Sequence, residues 1–523
     1  MKRTEIGRFT RELVAAGVLA AAVASAPMLV VRGGAAPLAQ AGSPARPECA
    51  QLAKLALANV TITSATVVPA EGGTPEYCKV LGALETTILF EVSLPVSAWN
   101  NRYWVAGGGG YNGSIPDLKQ ALQHGYAAAG SDTGHQGSDA SFAWKNEKAQ
   151  IDYGYRATHL VTALGKQIVK AYYGQSPQRS YFVGCSNGGK MGLTEVQRYP
   201  EDFNGAITGC PVIDRTNLMA AFIWDAQSQI ANPIPKAKLA AIAKATLAAC
   251  DAQDGLADGV IDRPDQCSFD PKVLTCKGAD GPDCLTPGQV ASLQKLYSGP
   301  VNSKGEHLFP GYPPGHEEDY AQFLTGDADP RTSSTWKLGD GFLRYFMHGP
   351  DYDTMKQFSL DTGYADLKPF VDAQDAYRPD LSAFRARGGR LIMYVGWADH
   401  SIPPGRAIAY YDDMQKKSGS DFARLFMVPG MHHCANGPGP WNFGGRGQRW
   451  IKDDPEHDAV RALERWVEQG VAPSSLIAAK FTNDDPKQGV ARTRPLCPYP
   501  QVAKYKGNGS IDDATNFACA TAR

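Results

Sequence analysis

A glycine-flanked serine is the clearest chemical signal in this sequence. The stretch GCSNG places Ser186 between Gly184 and Gly188, after the apolar run SYFV and before a helical run. A serine on such a sharp strand-to-helix turn exposes its hydroxyl, and only glycine tolerates the close backbone approach on either side. The pentapeptide alone also occurs in ordinary turns. Its position between a predicted strand and a predicted helix favours Ser186 as a nucleophile.

A serine hydroxyl attacks a carbonyl only when a base takes its proton, so a histidine oriented by a carboxylate must accompany it. Asp399 ends the apolar run LIMYVGWAD, and His433 follows the run LFMVPGMH. Each has an ordinary alternative: Asp399 as a helix cap before Pro403, and His433 as a surface loop residue. Both come at predicted strand ends in the order Ser, Asp, His, which is that of α/β-hydrolases. This joint placement favours His433 as base and Asp399 as the orienting acid.

Three further histidines compete for the role of base. His400 adjoins Asp399, which makes it a poor geometric partner for that carboxylate. His135 precedes the serine in the chain and is expected to form local hydrogen bonds. His432 is the immediate neighbour of His433, and spacing along the chain does not decide which of the two is the base.

An oxyanion hole needs two backbone N–H groups, one from the residue after the nucleophile and one from an early glycine-rich loop. Asn187 follows Ser186 and is expected to supply the first. Four glycines, Gly107–Gly110, directly follow the run RYWVA, and we expect Gly110 to supply the second. Glycine runs are also common in flexible turns. The position of this run after a predicted strand favours the oxyanion hole.

Short apolar runs alternate with helical patterns on both sides of the nucleophile. One helix has apolar residues three or four apart from Ala157 to Ile168, and a second ends at Gly470. Strands alternating with helices indicate a mostly parallel sheet covered on both faces, and we predict an α/β-hydrolase fold. The predicted strands are residues 88–94, 103–106, 126–130, 181–184, 205–209, 390–395 and 424–428.

A segment rich in Asp, Pro and Gly, with scattered aromatic residues, separates the two groups of predicted strands. It spans about residues 214–380 and has the character of an insertion. We therefore predict a catalytic domain of residues 45–213 and 381–523, with an inserted lid domain of residues 214–380.

The N-terminus has the composition of an export signal. Basic residues at the start are followed by an apolar stretch from Leu13 through Val31 and by the small-residue site Ala39-Gln40-Ala41. A membrane anchor is the alternative, but Pro27 interrupts the stretch, and we predict a signal peptide of residues 1–41. The expected location is secreted or periplasmic. Lys and Arg number 52 against 53 Asp and Glu, which disfavours nucleic acid or an anionic membrane as partner.

Eleven cysteines also favour an oxidising compartment. Eight of them come as neighbours along the chain and are candidates for disulfides, although sequence does not determine their connectivity. The remaining three are Cys185, Cys210 and Cys434, and Cys210 is expected to be buried on a strand. The neighbouring candidates are Cys49 with Cys78, Cys250 with Cys267, Cys276 with Cys284, and Cys497 with Cys519.

Cys185-Ser186 and His433-Cys434 together resemble the signature of the tannase and feruloyl esterase family, which includes hydrolases of mono(2-hydroxyethyl) terephthalate. In that family one cysteine precedes the nucleophile and another follows the catalytic histidine. The resemblance covers most of the chain, implies His433 rather than His432 as base, and implies a Cys185–Cys434 disulfide. A Cys185 nucleophile in a thiol-dependent enzyme is the chemical rival, but only the central residue of the turn projects into the site.

An acidic loop in the lid, CDAQDGLADGVID, is a candidate metal site. Clustered carboxylates repel one another unless a cation lies among them, and hard oxygen ligands suit Ca²⁺. The spacing departs from an EF-hand, so by itself it favours a solvated acidic loop and calcium equally. The family resemblance implies a structural Ca²⁺ held by side chains of Asp251, Asp254 and Asp258 and by carbonyls of Leu256 and Val260.

The resemblance implies a secreted serine esterase that cleaves small esters of aromatic acids, of the hydroxycinnamic or gallic type. Hydrolysis of mono(2-hydroxyethyl) terephthalate or related half-esters is the alternative. Arg344 in the lid would then hold the free carboxylate, although a surface arginine is the commoner situation. A catalytically silent, calcium-dependent binding protein is the alternative from another functional class.

Overall fold

The computed structural model describes residues 47–521, so the expected signal peptide lies outside the described residues. Its centre is a nine-stranded sheet in the order β1-β2-β3-β5-β4-β6-β7-β8-β9. In the sheet, the neighbours β5-β4-β6-β7-β8-β9 are parallel to one another. The pairs β1–β2, β2–β3 and β3–β5 are antiparallel. The strands are β1 Val60–Val68, β2 Tyr77–Leu84, β3 Ile88–Pro95, β4 Arg102–Ala106, β5 Ala127–Ser131, β6 Arg179–Cys185, β7 Gly205–Gly209, β8 Arg390–Gly396 and β9 Ala423–Val428.

The central strands are apolar because both of their faces are covered. Along β6, Phe182 packs into one hydrophobic cluster, while Tyr181 and Val183 pack into the cluster on the opposite face. Alternating side chains of a strand point to opposite faces, so a strand covered on both sides is apolar throughout. This two-sided sheet is the predicted α/β-hydrolase fold.

Helices cover both faces and end where the sequence indicates. The helix Ala157–Tyr173 stops at Gly174, whose φ of 75° is the left-handed cap that glycine favours. The helices are α1 Lys119–Gln123, α2 Glu147–Ile151, α3 Ala157–Tyr173, α4 Asn187–Arg198, α5 Arg215–Gln229, α6 Lys236–Cys250, α7 Pro287–Ser298, α8 Ser334–Gly341, α9 Thr354–Gln357, α10 Leu360–Leu367, α11 Val371–Gln374, α12 Ser382–Ala386, α13 Pro404–Ser418 and α14 Ala459–Gln469.

The chain between β7 and β8 contains α5 through α12, of which α5 through α11 lie within the segment 214–380. A hydrophobic cluster joins its helices to residues near the nucleophile, including Tyr111 and Tyr153. Two small antiparallel sheets follow β9 in the chain: β10 Leu476–Phe481 with β11 Val490–Leu496, and β12 Gln501–Tyr505 with β13 Phe517–Thr521. None of the helices within residues 47–521 combines the length and apolar character needed to cross a membrane.

Five disulfides are present in the described chain, and all five pairs are those expected. One of them ties β2 to the residues before β1, and the others lie in the segment between β7 and β8, at the turn after β6 and in the C-terminal sheets. Cys210 is a buried free thiol that lies one residue after β7 rather than on a strand. The bonded pairs are Cys49–Cys78, Cys185–Cys434, Cys250–Cys267, Cys276–Cys284 and Cys497–Cys519.

Candidate active site

Ser186 lies on a strained turn between β6 and α4. Its φ is 85° and its ψ is −113°, a conformation that a side-chain-bearing residue adopts only under constraint. A Cβ on Gly184 would overlap the backbone of Gly188, and one on Gly188 would lie 2.9 Å from the carbonyl carbon of Gly107. The two glycines are therefore required because the turn packs against itself and against the glycine loop.

The side chains of Ser186, His433 and Asp399 form a continuous hydrogen-bonded line. Nε2 of His433 lies 2.8 Å from Oγ of Ser186. Nδ1 of the same ring lies 2.9 Å from Oδ2 of Asp399. This arrangement lets the ring take a proton from the hydroxyl while the carboxylate fixes its orientation.

Asp399 is fully buried at the carboxyl end of β8. Its Oδ1 accepts hydrogen bonds from the backbone N–H groups of Ser401 and Ile402, each at 2.9 Å. Burial raises the pKa of Asp399, but the contact with His433 and the two N–H donors outweigh it, and the pKa lies below its ordinary value. The carboxylate thus remains ionised beside the ring.

The competing histidines have other partners. Nδ1 of His432 contacts Oδ2 of Asp319 at 3.0 Å, and Nε2 of His400 lies 3.2 Å from the carbonyl oxygen of Gly315. The ring of His135 stacks on Phe142 with centroids 3.5 Å apart. Of the histidines considered from sequence, His433 is therefore the one that reaches Ser186.

Gly110 and Asn187 border the same recess as Ser186. The carbonyl oxygen of Gly109 accepts a hydrogen bond from the N–H of Asn112 at 2.8 Å. Because carbonyl and N–H point in opposite directions across a trans peptide, this bond turns the N–H of Gly110 away from Asn112. Asn187 begins α4, and the N–H groups of a first helical turn have no partner within their own helix.

The recess beside Ser186 is open to solvent and has a mostly apolar lining. Its apolar side chains come from the chain just after β7, from α5 and α8, and from the loop after Asp399. This composition suits an aromatic or aliphatic group attached to the reacting carbonyl. The lining residues are Gly110, Ser186, Asn187, Val212, Arg215, Leu218, Met219, Phe222, Leu338, Ser401 and Ile402.

The Cys185–Cys434 disulfide joins the residue before Ser186 to the residue after His433. Cys185 therefore has no free thiol, which contradicts a thiol-dependent mechanism at that position. The third cysteine of this region is Cys210, whose Sγ accepts a hydrogen bond from the N–H of Cys434 at 3.3 Å. Burial raises the pKa of the Cys210 thiol well above its usual range, which disfavours the reactive thiolate.

Arg344 does not border the recess. Its guanidinium donates to the carbonyl oxygen of Pro350 at 2.9 Å and lies 3.4 Å from Asp340. Two residues not identified from sequence are present instead: Arg215 borders the recess, and Tyr153 touches both Gly110 and Asn187. The sequence feature that points to Arg215 is that a basic residue follows shortly after the apolar run of β7, at the start of α5.

The acidic loop folds back on its first residue. The carboxylate of Asp251 accepts hydrogen bonds from the N–H groups of Asp258 at 3.3 Å and Gly259 at 3.1 Å. Burial and the neighbouring carboxylates raise the pKa of Asp254 to about 6. Oδ2 of Asp258 already accepts a hydrogen bond from Arg494 at 2.5 Å. The donor set is of the hard type that calcium prefers, with one carboxylate shared with an arginine.

Known proteins resemble this chain along most of its length. The profile of the family described as tannase and feruloyl esterase matches residues 73–520. An uncharacterized esterase of Xanthomonas campestris pv. campestris is 39% identical, with 90% of this chain and 91% of the relative covered. A mono(2-hydroxyethyl) terephthalate hydrolase of Piscinibacter sakaiensis is 32% identical, with 85% of each chain covered.

Solved structures of the same family also resemble the fold of this chain. The crystal structure of feruloyl esterase B from Aspergillus oryzae matches with a TM-score of 0.82 and 27% sequence identity, over 90% of this chain and 98% of that one. The family resemblance noted from the cysteine, serine and histidine motifs is therefore confirmed. The chain belongs to the tannase and feruloyl esterase family of carboxylic ester hydrolases.

Proposed function

We propose that the chain hydrolyses esters of aromatic acids by a two-step serine mechanism. Ser186 is the nucleophile, His433 the general base and Asp399 the group that orients the imidazole. The observation that carries this proposal is the line of hydrogen bonds from Ser186 Oγ through the His433 ring to Asp399, at 2.8 and 2.9 Å.

In the first step Ser186 Oγ attacks the ester carbonyl while Nε2 of His433 takes the hydroxyl proton. The negative charge on the carbonyl oxygen is held by the N–H groups of Gly110 and Asn187. His433 then returns the proton to the leaving alcohol, and the acyl group remains on Ser186. Water attacks this acyl-enzyme with His433 again acting as base, and the free acid leaves.

The acyl group is proposed to lie in the recess beside Ser186. Its apolar lining includes Leu218, Met219 and Phe222 of α5 and Leu338 of α8, all within the segment 214–380. This segment would therefore act as a lid that shapes the acyl site. An aromatic acid of the hydroxycinnamic or gallic type fits this lining, and the relative from Aspergillus oryzae is a feruloyl esterase.

A second candidate substrate is an aromatic half-ester such as mono(2-hydroxyethyl) terephthalate. Arg215 favours it, because this basic residue borders the recess and is buried. Nη2 of Arg215 donates to Asn187, whereas its Nε has no hydrogen-bond partner among the described residues. A substrate carboxylate would supply that partner, the role for which the sequence offered Arg344 as a candidate.

The test compares methyl ferulate, methyl gallate and mono(2-hydroxyethyl) terephthalate by liquid chromatography of the released acid. We expect wild-type turnover of at least one ester, and none with Ser186→Ala at unchanged melting temperature. Ser180→Ala, on the same strand and away from His433, is the matched control and should remain active. Turnover by Ser186→Ala would refute the mechanism. Failure of the wild type to release any acid, despite binding the esters, would instead favour a calcium-dependent binding protein.

We further propose a structural Ca²⁺ in the acidic loop. Asp251, Asp254 and Asp258 would supply carboxylates, and Leu256 and Val260 would supply carbonyl oxygens. Two observations support it: burial and the nearby carboxylates of Asp258 and Asp251 raise the pKa of Asp254, and the loop is closed by hydrogen bonds from the N–H groups of Asp258 and Gly259 to Asp251. When bound, the ion neutralises these carboxylates, and no step of the ester hydrolysis passes through it.

We also propose that the chain is exported from the cytoplasm. Five disulfides within residues 47–521 favour an oxidising compartment. The leader-like residues 1–41 would direct the chain to a secreted or periplasmic location. N-terminal sequencing of the protein recovered outside the cytoplasm tests this, because cleavage after Ala41 is expected, and an intact N-terminus would contradict it.

A further inference from the structure

Tyr153 touches both residues that we propose to form the oxyanion hole. Its hydroxyl lies 2.9 Å from the carbonyl oxygen of Gly110 and 3.2 Å from Oδ1 of Asn187. Tyr153 is 1% exposed, so its contacts are with protein rather than with solvent. One hydroxyl thus connects two loops that come from separate parts of the chain.

An irregular helical turn carries Tyr153 to this position. Residues Asp152–Arg156 form a π-helical turn between α2 and α3, and such turns insert an extra residue that redirects the side chains. Asp152 accepts hydrogen bonds from Lys148 at 2.6 Å and Arg156 at 2.5 Å, which hold the turn at one end. The turn is therefore anchored rather than free to relax into a regular α-helix.

The same turn is fastened to the helix that contains Asn187. The ammonium group of Lys190, on α4, donates a hydrogen bond to the carbonyl oxygen of Gly154. A side chain at Gly154 would overlap the backbone of Ala373, so the turn lies against the lid without any gap. Tyr153 thereby holds a fixed place relative to α4 and to Asn187 at its start.

Arg215 holds the Asn187 side chain from the other side. Its Nη2 donates to Oδ1 of Asn187 at 2.6 Å, and the guanidinium lies 4.9 Å from the centroid of the Tyr153 ring. Nδ2 of Asn187 lies 3.3 Å from the carbonyl oxygen of Gly108, which links back to the glycine loop. Burial raises the pKa of Tyr153 to about 12, although Arg215 opposes the rise, so the hydroxyl keeps its proton and can donate.

We propose that Tyr153 is a positioning residue that fixes the spacing between the N–H groups of Gly110 and Asn187. Gly110 has a φ of 56° at the end of four glycines, a segment that would sample other conformations without an anchor. An oxyanion hole lowers the barrier only when its donors are already in place as the negative charge develops. The hydroxyl of Tyr153 supplies that anchor. This inference rests on the ester hydrolysis proposed above.

Tyr153→Phe is the test, because it removes the hydroxyl and keeps the ring. The matched control is Tyr155→Phe, in the same turn, whose ring stacks on Arg198 and touches neither oxyanion residue. With the best ester of the panel, we expect Tyr153→Phe to lower kcat by about 10-fold to 100-fold, up to the effect of losing one oxyanion donor, while KM changes by less than about twofold.

A second readout separates positioning from general damage. An aryl boronic acid forms a tetrahedral adduct with the nucleophilic serine and so resembles the transition state. Its affinity should fall in Tyr153→Phe by about the same factor as kcat, whereas inhibition by the product acid should not change. Tyr155→Phe should match the wild type in both measurements.

Several outcomes would overturn the inference. If Tyr153→Phe retains wild-type kcat and boronate affinity, the hydroxyl does not position the oxyanion hole. If only KM rises, Tyr153 contacts the substrate instead. Should Tyr153→Phe fail to fold, Asn187→Ala removes the side-chain oxygen that lies 3.2 Å from the hydroxyl, and it must lower kcat and boronate affinity by the same factor. A wild-type protein that neither cleaves esters nor binds the boronate would instead refute the proposed function.

Discussion

Cys185 and Cys434 are bonded to each other, and this covalent link connects the residue before Ser186 to the residue after His433. The two cysteines are separated by 249 residues in the chain. Hydrogen bonds alone would let the turn after β6 and the loop after β9 move independently. The disulfide restricts that relative motion at the atoms where proton transfer is proposed to occur.

Replacing both cysteines with serine, as Cys185→Ser with Cys434→Ser, should lower both stability and activity. We expect the free energy of unfolding to fall by about 2–5 kcal/mol, since a long loop is no longer closed. We also expect kcat to fall by about 10-fold to 100-fold, because small displacements of the reacting groups are costly. Denaturant unfolding and steady-state kinetics measure the two effects.

The double variant is needed because the Sγ atoms of Cys185, Cys210 and Cys434 lie within 4.8 Å of one another. A single replacement would leave a thiol that could pair with Cys210. The control is Cys276→Ser with Cys284→Ser, a bridge in the lid that spans eight residues. A normal kcat in a destabilised Cys185 and Cys434 variant would mean that the bridge stabilises the fold without aligning the site.

Asp399→Asn should reduce kcat by about 10³-fold to 10⁴-fold with little change in stability. An amide cannot stabilise the imidazolium that forms when His433 takes the proton, and it can bond the wrong tautomer of the ring. The comparison variant is Asp319→Asn, whose carboxylate contacts the neighbouring His432 instead. The assignment of His433 as base fails if Asp319→Asn is the more damaged of the two in ester hydrolysis.

Much of this site follows from local sequence because parallel strands end at one edge of a sheet. Ser186, Asp399 and His433 each follow an apolar run, so the edge brings them together despite long separations in the chain. Strands β1 and β2 were not identified from sequence. On β1 most residues are exposed or half-exposed, so its sequence lacks the apolar run that marks the central strands.

The parts of the site that sequence reasoning missed depend on distant contacts. Tyr153 acquires its position from a π-helical turn and from Gly110, which is 43 residues earlier, and neither leaves a recognisable local pattern. The sequence offered Arg344 as a possible substrate contact and a surface position as the commoner situation; its guanidinium contacts Asp340 and the carbonyl oxygen of Pro350. Arg215 lies on α5 and Arg344 lies after α8, and which of them borders the recess depends on contacts between distant segments that no short motif encodes.

Calcium should raise the melting temperature if the acidic loop binds it. At a free concentration of 100 times Kd, a ligand that binds only the folded state adds about 2.7 kcal/mol of stability. We expect a lower melting temperature in EDTA than in CaCl₂, with Mg²⁺ giving a smaller rise. Asp254→Asn should lose most of this response, whereas Asp265→Asn, whose carboxylate pairs with Arg263, should keep it.

Equal wild-type melting temperatures in EDTA and CaCl₂ would leave the loop without a calcium site. A response that persists unchanged in Asp254→Asn would place the ion elsewhere in the protein. Equilibrium dialysis with radioactive calcium gives the stoichiometry independently of stability, and one ion for each chain is expected.

Asp225, buried on α5, should make the protein less stable as the pH rises. Its Oδ2 accepts a hydrogen bond from Tyr312 at 3.2 Å, and its other oxygen has no partner among the described residues. Burial raises the pKa of Asp225 to about 8, although the Tyr312 hydrogen bond opposes the rise. The folded carboxyl therefore keeps its proton at pH values where the unfolded chain has lost it.

Unfolding then releases a proton, so between the ordinary aspartate pKa and about 8 a rising pH favours the unfolded state. Asp225→Asn stays neutral and escapes this effect. We expect its stability relative to wild type to increase by up to about 1.4 kcal/mol for each pH unit across that interval and to level off above it. Denaturant unfolding at several pH values measures the difference, with the exposed Asp366→Asn as control. A constant difference between Asp225→Asn and wild type from pH 5 to pH 8 would mean that Asp225 is ionised in the folded protein throughout.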